Sequence, residues 1–326
     1  MRIETTILII AFVVTVILGF IIIPILRKFK VGQIERDDGP QSHLKKQGTP
    51  TMGGIIMIIT MILLVIGVYV FLSIKENNDI ANKLVPMLIL TLGFGVIGFI
   101  DDFKKLVLKN TEGLKPSYKM LGLLIISVIY VIYLIYGLHL GTETYIPVLK
   151  QYITMPLILY IPFAIFVILA TTNAINLTDG IDGLSSSVSV IIVTCLTLIG
   201  IAFKVQEVSI FGSIVIGAIL GFLMFNLHPA KVFMGDTGSL LLGGVISALA
   251  LYLKMPLLLI VIAFIPVIET ISVIIQVLYF KKTGKRFFKM APLHHHFELS
   301  GWKENKVVIV FSLITLVLCI IGLNIV

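Results

Sequence analysis

Five aspartates in three separate segments are the residues of this chain whose type and position point most directly to chemistry. They are Asp101, Asp102, Asp179, Asp182 and Asp236. Each segment borders a long apolar run, so these carboxylates belong at a membrane boundary, where a charge is costly unless it is paired, hydrated or bound to a cation. Hard cations prefer oxygen ligands, and Mg²⁺ commonly joins one or two carboxylates to substrate phosphates. The set therefore predicts metal-assisted phosphoryl transfer at a membrane surface.

The segment TTNAINLTDGIDGLSSS, residues 171–187, holds two of these aspartates. Polar residues recur in it at steps of three, and on a helix they would form one stripe: Asn173, Asn176, Asp179 and Asp182. Gly180 and Gly183 can then break the helix and let the backbone approach a ligand. The alternative is a solvated loop with ordinary helix caps.

The other two acidic segments also allow a structural interpretation. Asp101 and Asp102 are adjacent, so on a helix they point about 100° apart, whereas Asp101 and Lys105 lie one turn apart and can form a simple ion pair. In FNLHPAKVFMGDTGS, residues 225–239, Asp236 suits either a carboxylate on a tight turn or a helix N-cap. The ring of Phe233 suits stacking on a flat base or insertion into the membrane interface.

Basic and histidine residues supply candidate phosphate ligands. His294, His295 and His296 follow a run of basic residues and suit phosphate binding, although three consecutive histidines on a helix cannot all face one metal. Lys45, Lys46 and Lys119 can each hold a phosphate or extend to lipid headgroups. No GxxxxGK[ST] loop occurs in the sequence.

The composition identifies the elements that must position these residues as membrane helices. Apolar residues make up 58% of the chain and charged residues 13%, which is far fewer charges than the roughly 25% of a soluble domain. We predict an all-α, polytopic membrane protein with a single domain over residues 1–326 and two buried, unpaired cysteines. Its ten predicted spans lie at about 5–26, 55–74, 84–100, 119–138, 153–171, 187–203, 208–226, 239–253, 257–280 and 306–325. Glu269 lies midway along the ninth run, shortly after Pro266, which predicts a broken helix or a hydrated groove there.

The distribution of basic residues predicts the orientation in the membrane. Nineteen Lys and Arg lie in the loops that carry the polar motifs, and the remaining six lie in the other loops and the N-terminus. By the positive-inside rule, the active site faces the cytoplasm and both termini are extracytoplasmic. The first run has its basic cluster after the apolar core, which predicts an uncleaved anchor.

With these motifs the chain resembles the phospho-N-acetylmuramoyl-pentapeptide transferases, a family of the polyprenyl-phosphate N-acetylhexosamine-1-phosphate transferase superfamily. The motifs are GTPTMGG at 48–54, the Asp101–Asp102 pair, NAINLTDGIDGL at 173–184, FMGDTGS at 233–239 and PLHHHFE at 292–298. The resemblance covers essentially the whole chain. It implies that UDP-MurNAc-pentapeptide and undecaprenyl phosphate react with Mg²⁺ to give lipid I and UMP in peptidoglycan synthesis. It also implies a homodimer in the bacterial cell membrane and no nucleic-acid partner.

The resemblance also implies roles for single residues. Asp236 is expected to bind Mg²⁺, with Asp101 and Asp102 close to the metal and to the lipid phosphate. Lys119 and His294 are expected to act on phosphate, as is Lys45, although Lys46 is an alternative to Lys45. The expected substrate-binding residues are Lys45, Asn173, Asn176, Asp179, Asp182, Asn226, Phe233, His295 and His296.

Three alternatives stay open at this point. The transfer can be a single displacement with Asp101 assisting deprotonation, which we favour, or a two-step reaction with Asp102 as the nucleophile. A sister transferase would use UDP-GlcNAc, although PLHHHFE argues against it. A secondary transporter would explain Glu269, but it predicts ionisable residues clustered near mid-membrane, whereas here only Glu269 is deep and the other candidate residues crowd one face.

Overall fold

The computed structural model describes residues 3–28, 48–106 and 113–326. Lys45 and Lys46 lie outside the described residues. Within these ranges ten helices are long and apolar enough to cross a membrane, which confirms the predicted number. They are α1 (Ile3–Lys28), α2 (Gly54–Ile74), α3 (Asn78–Leu106), α4 (Pro116–Ile132, continued by one π-helical turn at Tyr133–Gly137), α5 (Leu157–Thr178), α6 (Leu184–Ala202), α7 (Gln206–Asn226), α8 (Gly235–Tyr252), α10 (Phe264–Thr283) and α12 (Glu304–Ile325).

Helices α7 and α8 form the buried centre of the bundle, and glycines let their neighbours approach closely. A side chain at Gly217 or Gly221 of α7 would overlap the backbone of α1. In the same way, Gly98 of α3 lies directly against the backbone of Asp236 at the start of α8. Small residues at such crossings allow the close van der Waals packing that holds membrane helices together. Both cysteines, Cys195 and Cys319, are buried.

A β-hairpin corrects the all-α prediction. Strands β1 (Glu143–Ile146) and β2 (Gln151–Thr154) pair antiparallel, with Glu143 opposite Thr154. The fifth helix was predicted from residue 153, but it begins at Leu157, because the aromatic and β-branched residues before it pair as strands. The Tyr145 hydroxyl donates to the carbonyl of Val326, so the hairpin and the C-terminus lie at the same end of the bundle.

Two helix boundaries concern candidate site residues. The ninth run is broken at Ala263, between the short helix α9 (Leu259–Ile262) and α10, as the prediction of a broken helix near Glu269 anticipated. Pro266 fits there because it occupies the first turn of α10, where a backbone N–H has no partner within the helix. Helix α8 begins at Gly235 and not at residue 239, which places Asp236 inside its first turn.

Candidate active site

Three aspartates from two crossing helices form the centre of the site. Asp101 and Asp102 lie in the last turns of α3, and Asp236 lies in the first turn of α8. One oxygen from each carboxylate lies within 4.8 Å of the other two. The close approach of α3 to α8 at Gly98 makes this convergence possible, because Gly98 precedes Asp102 by one helical turn.

Asp102 caps helix α8 from the neighbouring helix. Its carboxylate accepts hydrogen bonds from the backbone N–H groups of Asp236 (3.2 Å) and Thr237 (2.9 Å) and from the Thr237 hydroxyl (2.6 Å). The residue in the N-cap position, Met234, makes no side-chain cap. The negative charge of Asp102 is thus stabilised at the positive end of the helix dipole. The N-cap considered for Asp236 is therefore supplied by Asp102.

Gly235 is required by both conformation and space at this helix start. Its φ of +72° favours glycine, and a Cβ there would crowd Oδ2 of Asp102. Any larger residue would therefore separate the carboxylate from the helix that it caps.

Two lysines lie between the other two carboxylates. Nζ of Lys105 lies 2.5 Å from Asp101 Oδ2 and 3.3 Å from Asp236 Oδ2. Nζ of Lys119, from the first turn of α4, lies 2.6 Å from Asp236 Oδ2 and 3.7 Å from Asp101 Oδ2. The predicted Asp101–Lys105 ion pair is therefore confirmed, and Lys105 also reaches the second acidic motif. Three carboxylates and two ammonium groups leave an excess of one negative charge when all are ionised.

The donor set of this cluster fits a hard divalent cation. Nδ2 of Asn176 lies 2.9 Å from Asp236 Oδ1 and 2.8 Å from the Ser239 hydroxyl, so an amide and a hydroxyl adjoin the three carboxylates. The three carboxylates supply the oxygen ligands that hard cations prefer, and the amide nitrogen of Asn176 holds Asp236 in place. The excess negative charge favours cation binding as well.

The glycine-rich segment before α2 positions Asp236. The N–H groups of Gly53 and Gly54 donate to the carbonyls of Phe233 and Met234, and the N–H of Phe233 donates to the carbonyl of Pro50. Residues 50–54 therefore pair along the backbone with the segment that leads into α8. Our sequence reasoning used GTPTMGG as a family signature and missed this role. The adjacent glycines were the available signal, since a Cβ on Gly54 would overlap the backbone of Gly238.

The polar stripe of residues 173–182 is divided because α5 ends at Thr178. Asn176 reaches Asp236, as described above, whereas Nδ2 of Asn173 donates to the carbonyl of Leu169 in its own helix. Asp179 follows the end of the helix. Burial raises the pKa of its carboxyl group well above the ordinary value, and the nearby carboxylates of the cluster raise it further.

Asp182 contacts a different set of residues. It is buried, and its Oδ2 lies 3.0 Å from Nδ1 of His228 and accepts the N–H of Ala230. Glu304 of α12 accepts the N–H of Asp182 at 2.6 Å and lies 3.2 Å from His228. This network ties the loop after α5 to the loop after α7, and neither His228 nor Glu304 was a predicted site residue.

Asn226 is also engaged with the protein. Its Nδ2 donates to the carbonyl of Val232, and its Oδ1 accepts the Ser186 hydroxyl. The structure thus places Asn226 and Asp182 in contacts that organise the loops, and their role as substrate ligands stays a prediction. Phe233 lies three residues before Asp236 and is half-buried. Its backbone pairs with the glycine-rich segment.

The three histidines lie on the short helix α11 (Leu293–Glu298) and point in different directions, as the sequence predicted. Nδ1 of His295 lies 2.9 Å from Glu298, and Nδ1 of His296 accepts the N–H of Lys289. His294 is fully buried, with Nδ1 3.2 Å from Glu269, and its Nε2 occupies the space beside Gly180. His294 therefore lies against the loop that carries Asp179.

The sequence of the chain is similar to known proteins over most of its length. The sequence profile of glycosyl transferase family 4 matches residues 84–254. The chain is 48% identical to the phospho-N-acetylmuramoyl-pentapeptide-transferase of Acetivibrio thermocellus, over 96% of this chain and 92% of that protein. It is 49% identical to the proteins of the same name from Clostridium novyi, over 96% and 94%, and Clostridium botulinum, over 97% and 94%. The chain belongs to the phospho-N-acetylmuramoyl-pentapeptide-transferase family.

Membership in this family confirms the resemblance that the sequence motifs indicated. The chain is a transferase and a multi-pass bacterial membrane protein. The matched region, residues 84–254, contains all five aspartates, whereas the glycine-rich segment and the three histidines lie outside it. The similarity to the named relatives extends over nearly the whole chain.

Proposed function

We propose that this chain transfers phospho-MurNAc-pentapeptide from UDP-MurNAc-pentapeptide to undecaprenyl phosphate, with lipid I and UMP as products. The observation that carries the proposal is the convergence of Asp101, Asp102 and Asp236 with Lys119, in a chain similar along its length to transferases of that name. We assign Mg²⁺ to the three carboxylates. When bound there, this cation would supply positive charge that neutralises the pyrophosphate of the nucleotide substrate.

In the proposed reaction, an oxygen of the lipid phosphate forms a bond to the β-phosphorus of the nucleotide sugar. The bond from that phosphorus to the oxygen bridging it to the α-phosphorus breaks, and UMP leaves with the electron pair. The second pKa of a phosphomonoester is near 6, so the lipid phosphate is mostly deprotonated at neutral pH. Asp101 therefore has little proton transfer to perform, and positioning and charge neutralisation supply most of the rate.

The contacts of Asp102 favour single displacement over a phospho-enzyme. A nucleophilic carboxylate needs an oxygen free to attack phosphorus, whereas the two oxygens of Asp102 together accept three hydrogen bonds from Asp236 and Thr237. Attack by Asp102 would break the cap of α8 and displace Asp236 with it. We therefore assign Asp102 to holding the helix start and the metal site.

The lysines and the surrounding residues then bind the substrates. Lys119 and Lys105 exchange part of their contact with the carboxylates for contact with phosphate oxygens when substrate arrives. Asn176 holds Asp236 in place through its 2.9 Å hydrogen bond. We assign Phe233 to stacking on uracil and His294 to a substrate phosphate. For the other residues predicted to bind substrate, including Lys45, His295 and His296, we keep the assignments implied by the family.

We propose that the acidic cluster faces the cytoplasm. The cluster lies at the end of the bundle where α3 and α5 end and α4 and α8 begin. The loops at this end carry 19 of the 25 Lys and Arg residues, and the positive-inside rule places such loops in the cytoplasm. The termini would then be extracytoplasmic, and a nucleotide sugar from the cytoplasm would reach the site directly. A homodimer is proposed from the family alone.

UMP release tests this function. Purified protein is supplied with undecaprenyl phosphate and either UDP-MurNAc-pentapeptide or UDP-GlcNAc, with and without Mg²⁺. We expect metal-dependent UMP release from UDP-MurNAc-pentapeptide and not from UDP-GlcNAc. Release from UDP-GlcNAc would move the assignment to the sister transferases, and release from neither substrate by folded protein would refute the proposal.

A further inference from the structure

We propose that Glu269 is a positioning residue that orients His294, so that Nε2 of His294 contacts a phosphate oxygen of the substrate beside Gly180. The inference rests on the proposed function, because it needs a phosphate-containing substrate at the acidic cluster. It gives a role to the buried carboxylate of the ninth apolar run, which the sequence left unexplained.

Glu269 accepts the hydrogen bonds of the first two N–H groups of α11. Its side chain is fully buried, and Oε2 accepts the N–H of Leu293 at 2.5 Å. Oε1 accepts the N–H of His294 at 3.2 Å and lies 3.2 Å from Nδ1 of the same residue. One carboxylate from α10 thus holds the first two N–H groups of the helix and the imidazole ring together.

These contacts determine which nitrogen of His294 is available to a ligand. A carboxylate accepts hydrogen bonds, so Nδ1 must carry the proton that it donates to Glu269. Nε2 is then directed away from Glu269. This is the arrangement by which a carboxylate on one ring nitrogen orients the other nitrogen toward its target.

Nε2 of His294 is buried and has no hydrogen-bond partner among the described residues. It occupies the space where a Cβ of residue 180 would lie, so the ring is pressed against the loop that carries Asp179. A buried polar atom without a partner costs free energy, so an unpaired group of this kind in a native structure is expected to bind a ligand or a water molecule. A phosphate oxygen of the substrate fits when both ring nitrogens are protonated, because Nδ1 then donates to Glu269 while Nε2 donates to the phosphate.

The transporter alternative loses its main support through the same contacts. The buried Glu269 is engaged with Leu293 and His294, and so its burial does not require a hydrated pathway through the membrane. The carboxylate instead links the broken ninth helix to the histidine motif.

A double-mutant cycle tests whether Glu269 acts through His294. We compare UMP release by the wild type, Glu269→Gln, His294→Ala and the double variant. We expect Glu269→Gln to lower kcat by about 10- to 100-fold, as is typical when the residue that orients a functional histidine is removed. In the His294→Ala background the same change should lower kcat by less than about 2-fold, because the group that it orients is absent. The KM for the nucleotide sugar should change less than kcat.

Three further variants guard against misfolding. Gly180→Ala perturbs Nε2 from the opposite side without touching Glu269, and its effect on kcat should likewise vanish in the His294→Ala background. Gly67→Ala is the matched control, because Gly67 lies in a helix with open space around its Cβ position. Glu269→Asp keeps the carboxylate and should retain more activity than Glu269→Gln. If Glu269→Gln fails to fold, the cycle built on Gly180→Ala decides the question.

The possible outcomes separate this inference from the proposed function. Equal fold losses from Glu269→Gln with and without His294 would show a merely structural role and overturn the inference. Normal kcat in Glu269→Gln or in His294→Ala would overturn it too, while leaving the transfer reaction intact. A wild type that releases no UMP would instead refute the proposed function itself.

Discussion

Replacing Asp236 by Asn separates the stability of the site from its chemistry. The substitution keeps the shape of the side chain and an oxygen that can accept from Asn176, but it removes one of the three negative charges. We expect turnover to fall by about 10³-fold, or about 4 kcal/mol of transition-state stabilisation, because the lost charge serves the metal and the transferred phosphate.

We expect the substitution to change the free energy of unfolding only slightly, because the attraction of Asp236 to the two lysines and its repulsion from Asp101 and Asp102 nearly cancel. With an effective dielectric constant of 20, the 2.6 Å contact between Lys119 and Asp236 is worth about 6 kcal/mol. Lys105 is 39% exposed, so its 3.3 Å contact with Asp236 is screened and contributes at most about 1 kcal/mol. Repulsion from Asp101 and Asp102, each within 4.8 Å, is at least about 3.5 kcal/mol per pair, or about 7 kcal/mol together.

The assay therefore has two parts. Thermal unfolding in detergent without divalent cations should give the Asp236→Asn variant a Tm within a few degrees of the wild type, since about 1 kcal/mol corresponds to roughly 2–4 °C. Added Mg²⁺ should raise the Tm of the wild type and leave that of the variant nearly unchanged, because a ligand stabilises only the protein that binds it. Near-normal turnover with an unchanged Mg²⁺ requirement would refute the metal assignment. A large fall in Tm would show that the attraction of Asp236 to the lysines and its repulsion from the other carboxylates do not cancel.

Three other substitutions test neighbouring parts of the site. Asp102→Asn replaces an accepting oxygen by a donor and breaks at least one hydrogen bond to the start of α8. The free energy of unfolding should therefore fall by about 1–3 kcal/mol, which thermal unfolding detects. An unchanged Tm would contradict the capping role. Gly98→Ala places a Cβ against the backbone of Asp236 and should separate α3 from α8, lowering both Tm and UMP release, whereas the Gly67→Ala control should match the wild type. The raised pKa of Asp179 means that the folded state holds its proton more tightly than the unfolded state, so stability falls as pH rises from about 4 through that pKa. Asp179→Asn should remove this loss, so its Tm advantage over the wild type should grow between pH 5 and pH 8; an advantage that does not change with pH would contradict the assignment.

The bundle could be predicted from the sequence because lipid allows few solutions for the backbone. A chain that crosses hydrocarbon must satisfy its own N–H and C=O groups, so long apolar runs become helices, and the ten predicted runs correspond to ten helices in the part of the chain that the structure describes. The break near Glu269 was also predictable, because a proline and a buried carboxylate lay close together in the ninth run. The hairpin at 143–154 was missed because it lies outside the hydrocarbon constraint, and its short strands carry little signal.

The candidate residues could largely be predicted from the sequence, whereas the contacts that they make could not. Asp101, Asp102 and Asp236 do converge, but the cap that Asp102 provides for α8 joins residues more than 130 positions apart in the chain. It depends on how closely α3 approaches α8 at Gly98, a packing detail that periodicity does not encode. The residues from Asn173 to Asp182 do not form one polar stripe, because α5 ends at Thr178. Asp182 instead contacts His228 and Glu304, which lie on two other segments.

The fate of the β-phosphate tests the central claim most directly. Purified protein is supplied with undecaprenyl phosphate and UDP-MurNAc-pentapeptide labelled at the β-phosphate, and the label is followed in lipid, nucleotide and protein. Our account predicts that the label enters the lipid fraction as a pyrophosphate, in amounts equal to the UMP released, and that the protein stays unlabelled when the lipid is omitted. Label in UMP or in free phosphate would contradict the proposed bond cleavage, and label on an aspartate without lipid would contradict single displacement.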